Sequence, residues 1–315
     1  VVTAARRLDF QPSSVARSLR TERTRVIGFV VPDVSSGFYA NALKGAQHRL
    51  ATMGYAVALL DTDEEPDREL EALRALARQR VDGVILCSSG APAEELRRLI
   101  ARLSVPVVFF DNVVPGLGKG SVVLANETGV RLLVDHLAQV HRHRRIGFVS
   151  GLVSETSGAE RLAGFRLGLG ANGLPVNDAY VRQGDWSHDA GWRETLALLA
   201  LPQPPTAIVY ADAAMALGGL AALRHLGRRV PQEVALVSFD DWEAGALLDP
   251  PLTALGQRDR LVGDLAASLL LRALEDPTAE SVDVRVPVEL TIRRSCGCPP
   301  AVAGEVAAKP MRAEG

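Results

Sequence analysis

Apolar positions along this chain follow two spacings that alternate with one another. Short runs without polar interruption, beginning with Val26-Ile-Gly-Phe-Val-Val31, recur at 56–60, 83–87, 106–110 and 122–124. Between them, at 38–53, 66–80, 93–103 and then 127–140, the apolar residues fall three and four apart, as on one face of a helix. A second series follows. Its strand-like runs lie near 145–150, 180–184, 206–210 and 234–238, and its helical stretches near 158–172, 189–200 and 213–227. Runs that are apolar throughout suit strands buried on both faces, and alternation at this spacing predicts βαβ units with parallel sheets. Two series therefore predict two doubly wound α/β lobes. Ligands in such sheets bind beyond the carboxyl ends of the strands, so the cleft between lobes is the default site. Asp259 to Leu274 then reads as a helix, Pro277–Ser281 breaks it, and Val284 to Ile292 reads as one strand.

The amino end has a different character. Pro12-Ser-Ser-Val-Ala-Arg-Ser-Leu19 has the pattern of a helix of about two turns, with Ser13 able to cap it and Val15 and Leu19 on one face. So short a helix does not persist alone, because nucleation costs more than its few hydrogen bonds return. It needs a partner. Residues 1–25 hold arginines 6, 7, 17, 20, 23 and 25 against Asp9 and Glu22, a local +4, so the rest of a chain of net charge −2 carries −6. A basic arm on an acidic body suits a nucleic-acid-facing end, although a solvated basic tail has the same composition.

Several sources of chemistry are weak on context. Gly168-Leu-Gly-Ala-Asn-Gly173 has G-x-G-x-x-G spacing but ends a helical pattern instead of joining a strand to one. Gly116-Leu-Gly-Lys-Gly-Ser121 lacks phosphate-loop spacing and a following helix, and neither G-x-S-x-G nor H-E-x-x-H occurs. Cys87, Cys296 and Cys298 make neither a disulfide framework nor a four-ligand zinc site, and a reducing cytoplasm is the expected compartment. His141-Arg-His-Arg-Arg145 reads as a solvated connection, so no metal and no cofactor are expected. No run of 18 apolar residues marks a membrane span, and no signal-peptide pattern opens the chain, whose first residue is Val1.

The predicted strand ends carry polar and aromatic groups of the kind a small polar ligand needs. Ser36, Phe38 and Tyr39 follow the first strand, Asp61 and Asp63 the second, and Asp111 and Asn112 the fourth. In the second series Ser157 and Arg161 fall one helical turn apart, Trp186 follows the Val181 strand, Asp212 follows Tyr210, and Phe239-Asp240-Asp241 follows the 234–238 strand; Gln257 comes last. Aromatic faces can stack on a sugar ring or a base, and Asp and Arg can hold hydroxyls. Taken singly, each has a plainer reading as a core, capping or surface residue. A sugar or polyol is the expected effector, with a nucleobase or nucleoside second.

Pro-x-x-Val-Ala-Arg-Ser-Leu, Thr-x-x-Ile-Gly-x-Val-Val-Pro-Asp and Ser-x-x-Phe-Tyr together resemble the hinge and first strand of lac-repressor-type (LacI/GalR family) transcription regulators. The likeness runs to about Cys298. It implies two lobes of periplasmic-binding-protein type I architecture behind a hinge helix. Residues 1–25 would be the end of a DNA-binding headpiece and the hinge, and the two helices of that headpiece that enter the major groove are not in this sequence. The first lobe would comprise 26–125 with about 257–281, the second 126–256 with about 282–298, and 299–315 a disordered tail. Leu19 matches the family's minor-groove wedge, and Ser13, Ala16 and Arg17 match hinge positions facing the groove. Family effector contacts align with Ser36, Phe38, Tyr39, Ser157, Arg161, Trp186, Asp240 and Gln257, to which the strand-end reading adds Asp63, Asp111 and Asp212. The family usually has Asn-Asp where Asp212-Ala213 stands, so the effector's hydroxyl pattern cannot be copied from a relative.

The implied protein is a cytoplasmic, homodimeric, ligand-responsive repressor that binds operator DNA and has no enzymatic activity and no membrane partner. An exported solute-binding protein of a sugar transporter would share the lobes but not the Pro12–Leu19 hinge. An α/β enzyme using Asp63, Asp111 or Asp240 as acid and base would require turnover, which no residue pair in the sequence suggests.

Overall fold

A computed structural model of the chain describes residues 23–299. The hinge positions Ser13, Ala16, Arg17 and Leu19, and the predicted tail from residue 300 onward, lie outside the described residues. Two compact units divide the described residues. The first holds 23–126, 154–157 and 257–287, and the second 127–153, 158–256 and 288–299.

In the first unit, β1 (Val26–Val31), β2 (Ala56–Asp61), β3 (Gly83–Leu86), β4 (Val107–Phe110), β5 (Gly120–Leu124) and β11 (Val282–Val286) form one sheet in the order β11-β5-β4-β3-β1-β2. Every pairing in it is parallel. Helices α1 (Gly37–Thr52), α2 (Pro66–Gln79), α3 (Ala93–Leu103) and α8 (Asp259–Glu275) belong to this unit. The unbroken apolar runs have the expected cause, since β3, β4 and β5 are buried at every residue while the edge strand β2 has no fully buried residue.

The second unit repeats this topology. Its strands β6 (Ile146–Ser150), β7 (Val181–Gln183), β8 (Ala207–Tyr210), β9 (Ala235–Ser238), β10 (Thr253–Gly256) and β12 (Glu289–Thr291) take the order β12-β10-β9-β8-β6-β7. Only β12 runs antiparallel, against β10. Its helices are α4 (Asn126–Asp135), which continues as a π-turn over His136–Val140, then α5 (Thr156–Ala171), α6 (His188–Leu199) and α7 (Ala213–His225). Ser187 caps α6 by accepting from the Ala190 N–H, and Asp212 caps α7 by accepting from the Met215 N–H. Among the described residues, no helix is long and apolar enough to cross a membrane.

The stretch 284–292, predicted as one strand of the second lobe, is two strands. Pro287 lies between them and has no N–H to continue a ladder, so β11 joins the first sheet and β12 the second. Residues 282–287 therefore belong to the first unit, as do 154–157, both of which the sequence assigned to the second. Strand β10, with only four residues after Pro250-Pro251, had no prediction.

Both sheets reverse winding direction at one place, between β1 and β3 in the first and between β6 and β8 in the second. The segment after β3 is fixed by a carboxylate on α2. Glu69 is fully buried, and its Oε2 accepts from the backbone N–H groups of Ser89 and Ala91 at 2.9 and 3.1 Å and from Ser88 Oγ at 3.2 Å. Burial raises its pKa despite these bonds. Glu69→Ala is expected to destabilise the protein in urea unfolding by roughly 1–3 kcal/mol for each orphaned N–H. Between the ordinary carboxylate pKa and the raised folded value, the native state keeps a proton that the unfolded chain has lost. Across that window, then, the wild type should lose stability relative to Glu69→Gln as pH rises.

Candidate functional site

The polar side chains expected at the strand ends gather at both reversal points. In the second sheet the central group is Arg161, on the second turn of α5 and 4% exposed. Its Nη1 donates to the carbonyl of Ala211, the residue just past β8, at 2.6 Å. Its Cζ stands 3.7 Å from the ring centroid of Phe239, just past β9, and 5.5 Å from that of Trp186. Asp240 Oδ1 lies 4.0 Å from the same Nη1, and Asp240 Oδ2 accepts from the Ala213 N–H at 3.2 Å. A buried guanidinium is tolerable here because two aromatic faces, a carbonyl and a carboxylate surround it. Phe239, a strand-end aromatic not counted among the effector contacts, is fully buried and forms a floor under Arg161.

Other predicted members have partly internal roles. Asp212 Oδ1 is engaged in capping α7, at 2.8 Å from the Met215 nitrogen. Asp241, next to Asp240, grips Arg293 through both oxygens at 2.7 and 2.9 Å and so ties the segment after β9 to the segment after β12. Trp186 has φ +66°, and its indole covers Gly151, where an added Cβ would overlap the ring. Gly151→Ala is therefore expected to displace the indole from its place near Arg161. A spectral shift of Trp186 fluorescence, read in a background with Trp192 and Trp242 replaced by Phe, would register it; an unchanged spectrum would mean the ring does not rest there.

At the reversal point of the first sheet, half-buried Tyr39 on α1 donates its hydroxyl to Asp111 Oδ2 at 3.1 Å. Asp111 is 5% exposed and sits at φ +57° directly after β4. The Cys87 thiol, following β3, reaches the Tyr39 hydroxyl at 3.6 Å. Burial, with Asp111 nearby, pushes the Cys87 thiol well up, which disfavours the thiolate form. Burial and Cys87 likewise raise the Tyr39 phenol. Phe38 meets the Tyr39 ring edge-on with centroids 5.1 Å apart. Ser157 donates from both its backbone nitrogen and its hydroxyl to Asn112 Oδ1, at 3.1 and 2.8 Å, so it serves the position of Asn112. Gln257, which follows β10, is 5% exposed, and its Oε1 has no hydrogen-bond partner among the described residues. Ser36 is the N-cap of α1 and makes no side-chain capping bond. Asp63 has a local role, on an exposed turn and ion-paired with Arg68 at 2.9 Å.

One group of side chains contradicts the sequence reading of residues 141–145. Arg142, Arg144 and Arg145 are exposed as a solvated connection should be, but the histidines turn inward. His143 Nδ1 lies 2.9 Å from Thr206 Oγ1. His141 meets His136 edge-on, with ring centroids 5.0 Å apart, and its Nε2 lies 3.3 Å from Cys298 Sγ. His136 Nε2 lies 3.3 Å from Cys296 Sγ and 3.7 Å from Cys298 Sγ. Burial, then His141, lowers the His136 pKa to about 4, so its imidazole is neutral at pH 7. Cysteines and histidines counted separately showed none of this, because some 160 residues separate the two pairs.

Comparison with known proteins agrees with the fold. The family model of the periplasmic binding protein-like domain matches residues 134–296. Catabolite control protein A of Priestia megaterium is 30% identical over 296 residues, which cover 94% of this chain and 89% of that protein. The lac repressor dimer bound to operator and the anti-inducer ONPF superposes with a TM-score of 0.82 at 28% identity, over 93% of this chain and 88% of that one. A transcriptional regulator CelR–cellobiose complex gives 0.80 at 28% identity, over 89% of both chains.

Proposed function

We propose that this chain, which belongs to the LacI/GalR family of lac-repressor-type transcription regulators, senses a sugar or polyol through the side chains at the reversal points of its two sheets. The observation that carries this reading is Arg161. It is a buried cation, aimed by the Ala211 carbonyl and flanked by Asp240, Phe239 and Trp186. A guanidinium donates in a fixed plane and a carboxylate accepts, so such a pair can orient neighbouring hydroxyls while an indole covers the apolar face of a sugar ring. The cellobiose-bound relative supports the ligand class.

The first sheet offers its own set. Phe38, Tyr39 and Asp111 are held together, and the buried Oε1 of Gln257 is an acceptor that a ligand hydroxyl could satisfy. Ser36 and Asp63, which follow β1 and β2, and Ser157, which positions Asn112, complete it as supporting members, and Asp212, which caps α7, supports the set of the second sheet. Effector binding would act on DNA through differential affinity for two arrangements of the protein, coupling this site to the hinge residues Ser13, Ala16, Arg17 and Leu19. The protein would be a cytoplasmic homodimer that binds operator DNA; the similar lac repressor is a dimer bound to operator in its complex. It would bind its effector without turning it over.

A thermal-shift screen of sugars and polyols should raise the melting point for the effector, because a ligand that binds only the native state stabilises it. With that ligand, Arg161→Ala and Asp240→Ala should each cost ~1–3 kcal/mol by calorimetry, which is about a 5- to 150-fold loss of affinity. Unchanged affinity in both variants, with native melting behaviour, would place the effector elsewhere. Sedimentation at micromolar concentration should show a dimer, since paired operator half-sites call for paired hinges; a monomer there would refute that part of the reading.

A further inference from the structure

The geometry points to a zinc-binding site in the second unit, formed by His136, His141, Cys296 and Cys298 and separate from the effector-binding side chains. The four ligand atoms all lie within 4.8 Å of one another. A tetrahedral zinc ion with Zn–S near 2.3 Å and Zn–N near 2.0–2.1 Å requires ligand-to-ligand separations of about 3.3–3.8 Å. The separations of 3.3 Å between His136 Nε2 and Cys296 Sγ, 3.7 Å between His136 Nε2 and Cys298 Sγ, and 3.3 Å between His141 Nε2 and Cys298 Sγ fall in that range. Two thiols and two imidazoles form a soft, four-coordinate set, which favours zinc over magnesium or calcium and leaves no position open for catalysis. The site is structural.

The backbone brings the ligands together by two local devices. His136 begins the π-turn that ends at Val140, and His141 caps it, so the two imidazoles stand one i→i+5 turn apart. Gly297 separates the cysteines and has φ +107°, a conformation glycine adopts without strain, which lets both thiols turn to one side. A Cβ at Gly297 would come within 3.1 Å of His141 Nδ1, so the residue also makes room for the imidazole. Neighbouring bonds hold the cysteine segment in place. Ser295 accepts from the Thr253 N–H at 2.8 Å and donates to the Leu236 carbonyl at 2.5 Å, fastening the segment to β10 and β9. The Thr253 hydroxyl donates to Cys296 Sγ at 3.1 Å, the kind of outer contact that steadies a metal-bound thiolate.

An entry path exists, since His141 and Cys298 are half-exposed while His136 and Cys296 are buried. On binding, each thiol gives up one proton to solvent, two sulfur–metal and two nitrogen–metal bonds form, and no electron is transferred. The ion would clip the segment after β12 to the end of the π-turn.

Cobalt(II) titration and zinc analysis of the whole reduced chain, carrying no histidine tag, test the site. About one metal per chain is expected, with an intense tetrahedral cobalt spectrum that includes a thiolate-to-cobalt band. His141→Ala and Cys298→Ser alter half-exposed positions and should leave the fold intact by circular dichroism. Each should weaken metal binding by more than about 100-fold, beyond what loss of an outer-shell contact costs. Zinc should raise the melting point of the wild type but not of the double variant. Substoichiometric metal, a cobalt spectrum without a thiolate band, or variants that bind as tightly as the wild type would overturn the assignment. Effector affinity is measured separately, so either reading can fail without the other.

Discussion

A parallel sheet covered on both faces has nowhere to present chemistry except at its ends. Side chains along β3, β4 and β8 are buried among aliphatic neighbours, and a polar group there would have no water and few partners. Polar function is therefore displaced to the turns beyond the carboxyl ends. Winding direction then selects among those turns, because the connections on either side of a reversal leave in opposite directions and open a gap. In the first sheet that place collects Tyr39, Cys87 and Asp111; in the second it collects Arg161, Ala211 and Asp240. The same constraint operating twice produces two sites of different chemistry. One is a network of a phenol, a thiol and a carboxylate. The other is built on a buried cation.

The cation is the more demanding of the two. Removing a guanidinium from water costs several kcal/mol, and a single carboxylate about 4 Å away recovers only part of that. Phe239 beneath the group and Trp186 near it supply the rest through their negative ring faces, and the Ala211 carbonyl fixes the plane. The position of each partner depends in turn on a local rule. Asp240 is steadied by the Ala213 N–H at the start of α7, and Trp186 can lie where it does because residue 151 has no side chain. Orientation of Arg161 is thus set before any ligand arrives, which lowers the entropy cost of binding one.

How much of this was legible depends on the range of the interaction. Strand runs and helical spacing are local patterns, and many of their boundaries agree between prediction and structure, as at Val26–Val31 and Ala93–Leu103, or differ by a residue, as at Gly37–Thr52. The strand-end polar residues were legible for the same reason: topology states where the ends meet, and composition states which residues are polar. Three things were not. The split of 284–292 turned on Pro287, whose missing N–H matters only once the two sheets are known to compete for that segment. Phe239 reads as a strand-end aromatic, but its role as the floor beneath a buried arginine is visible only once Arg161 is placed above it. The bonds that Asp63, Asp212 and Ser157 make to Arg68, Met215 and Asn112 respectively are the third, since each depends on the backbone geometry around the pair.

The histidine and cysteine cluster marks the limit of that legibility most clearly. A metal motif is readable when its ligands sit in short, spaced pairs such as C-x₂-C, because the loop between them is itself the signal. Here the pairs are His-x₄-His and Cys-x-Cys, and neither is a recognised spacing. The first pair works because the chain adopts a π-turn, and the second because a glycine with positive φ separates the thiols. Both features are backbone conformations that no single residue announces. What brings the pairs together is the antiparallel strand β12, the one exception to the parallel rule, which returns the chain across β10 and delivers Cys296 beside Thr253. An α/β sheet that ended at β10 would leave His136 and His141 without thiols. The departure from parallel pairing is therefore what gives the second unit a ligand set that the first does not share.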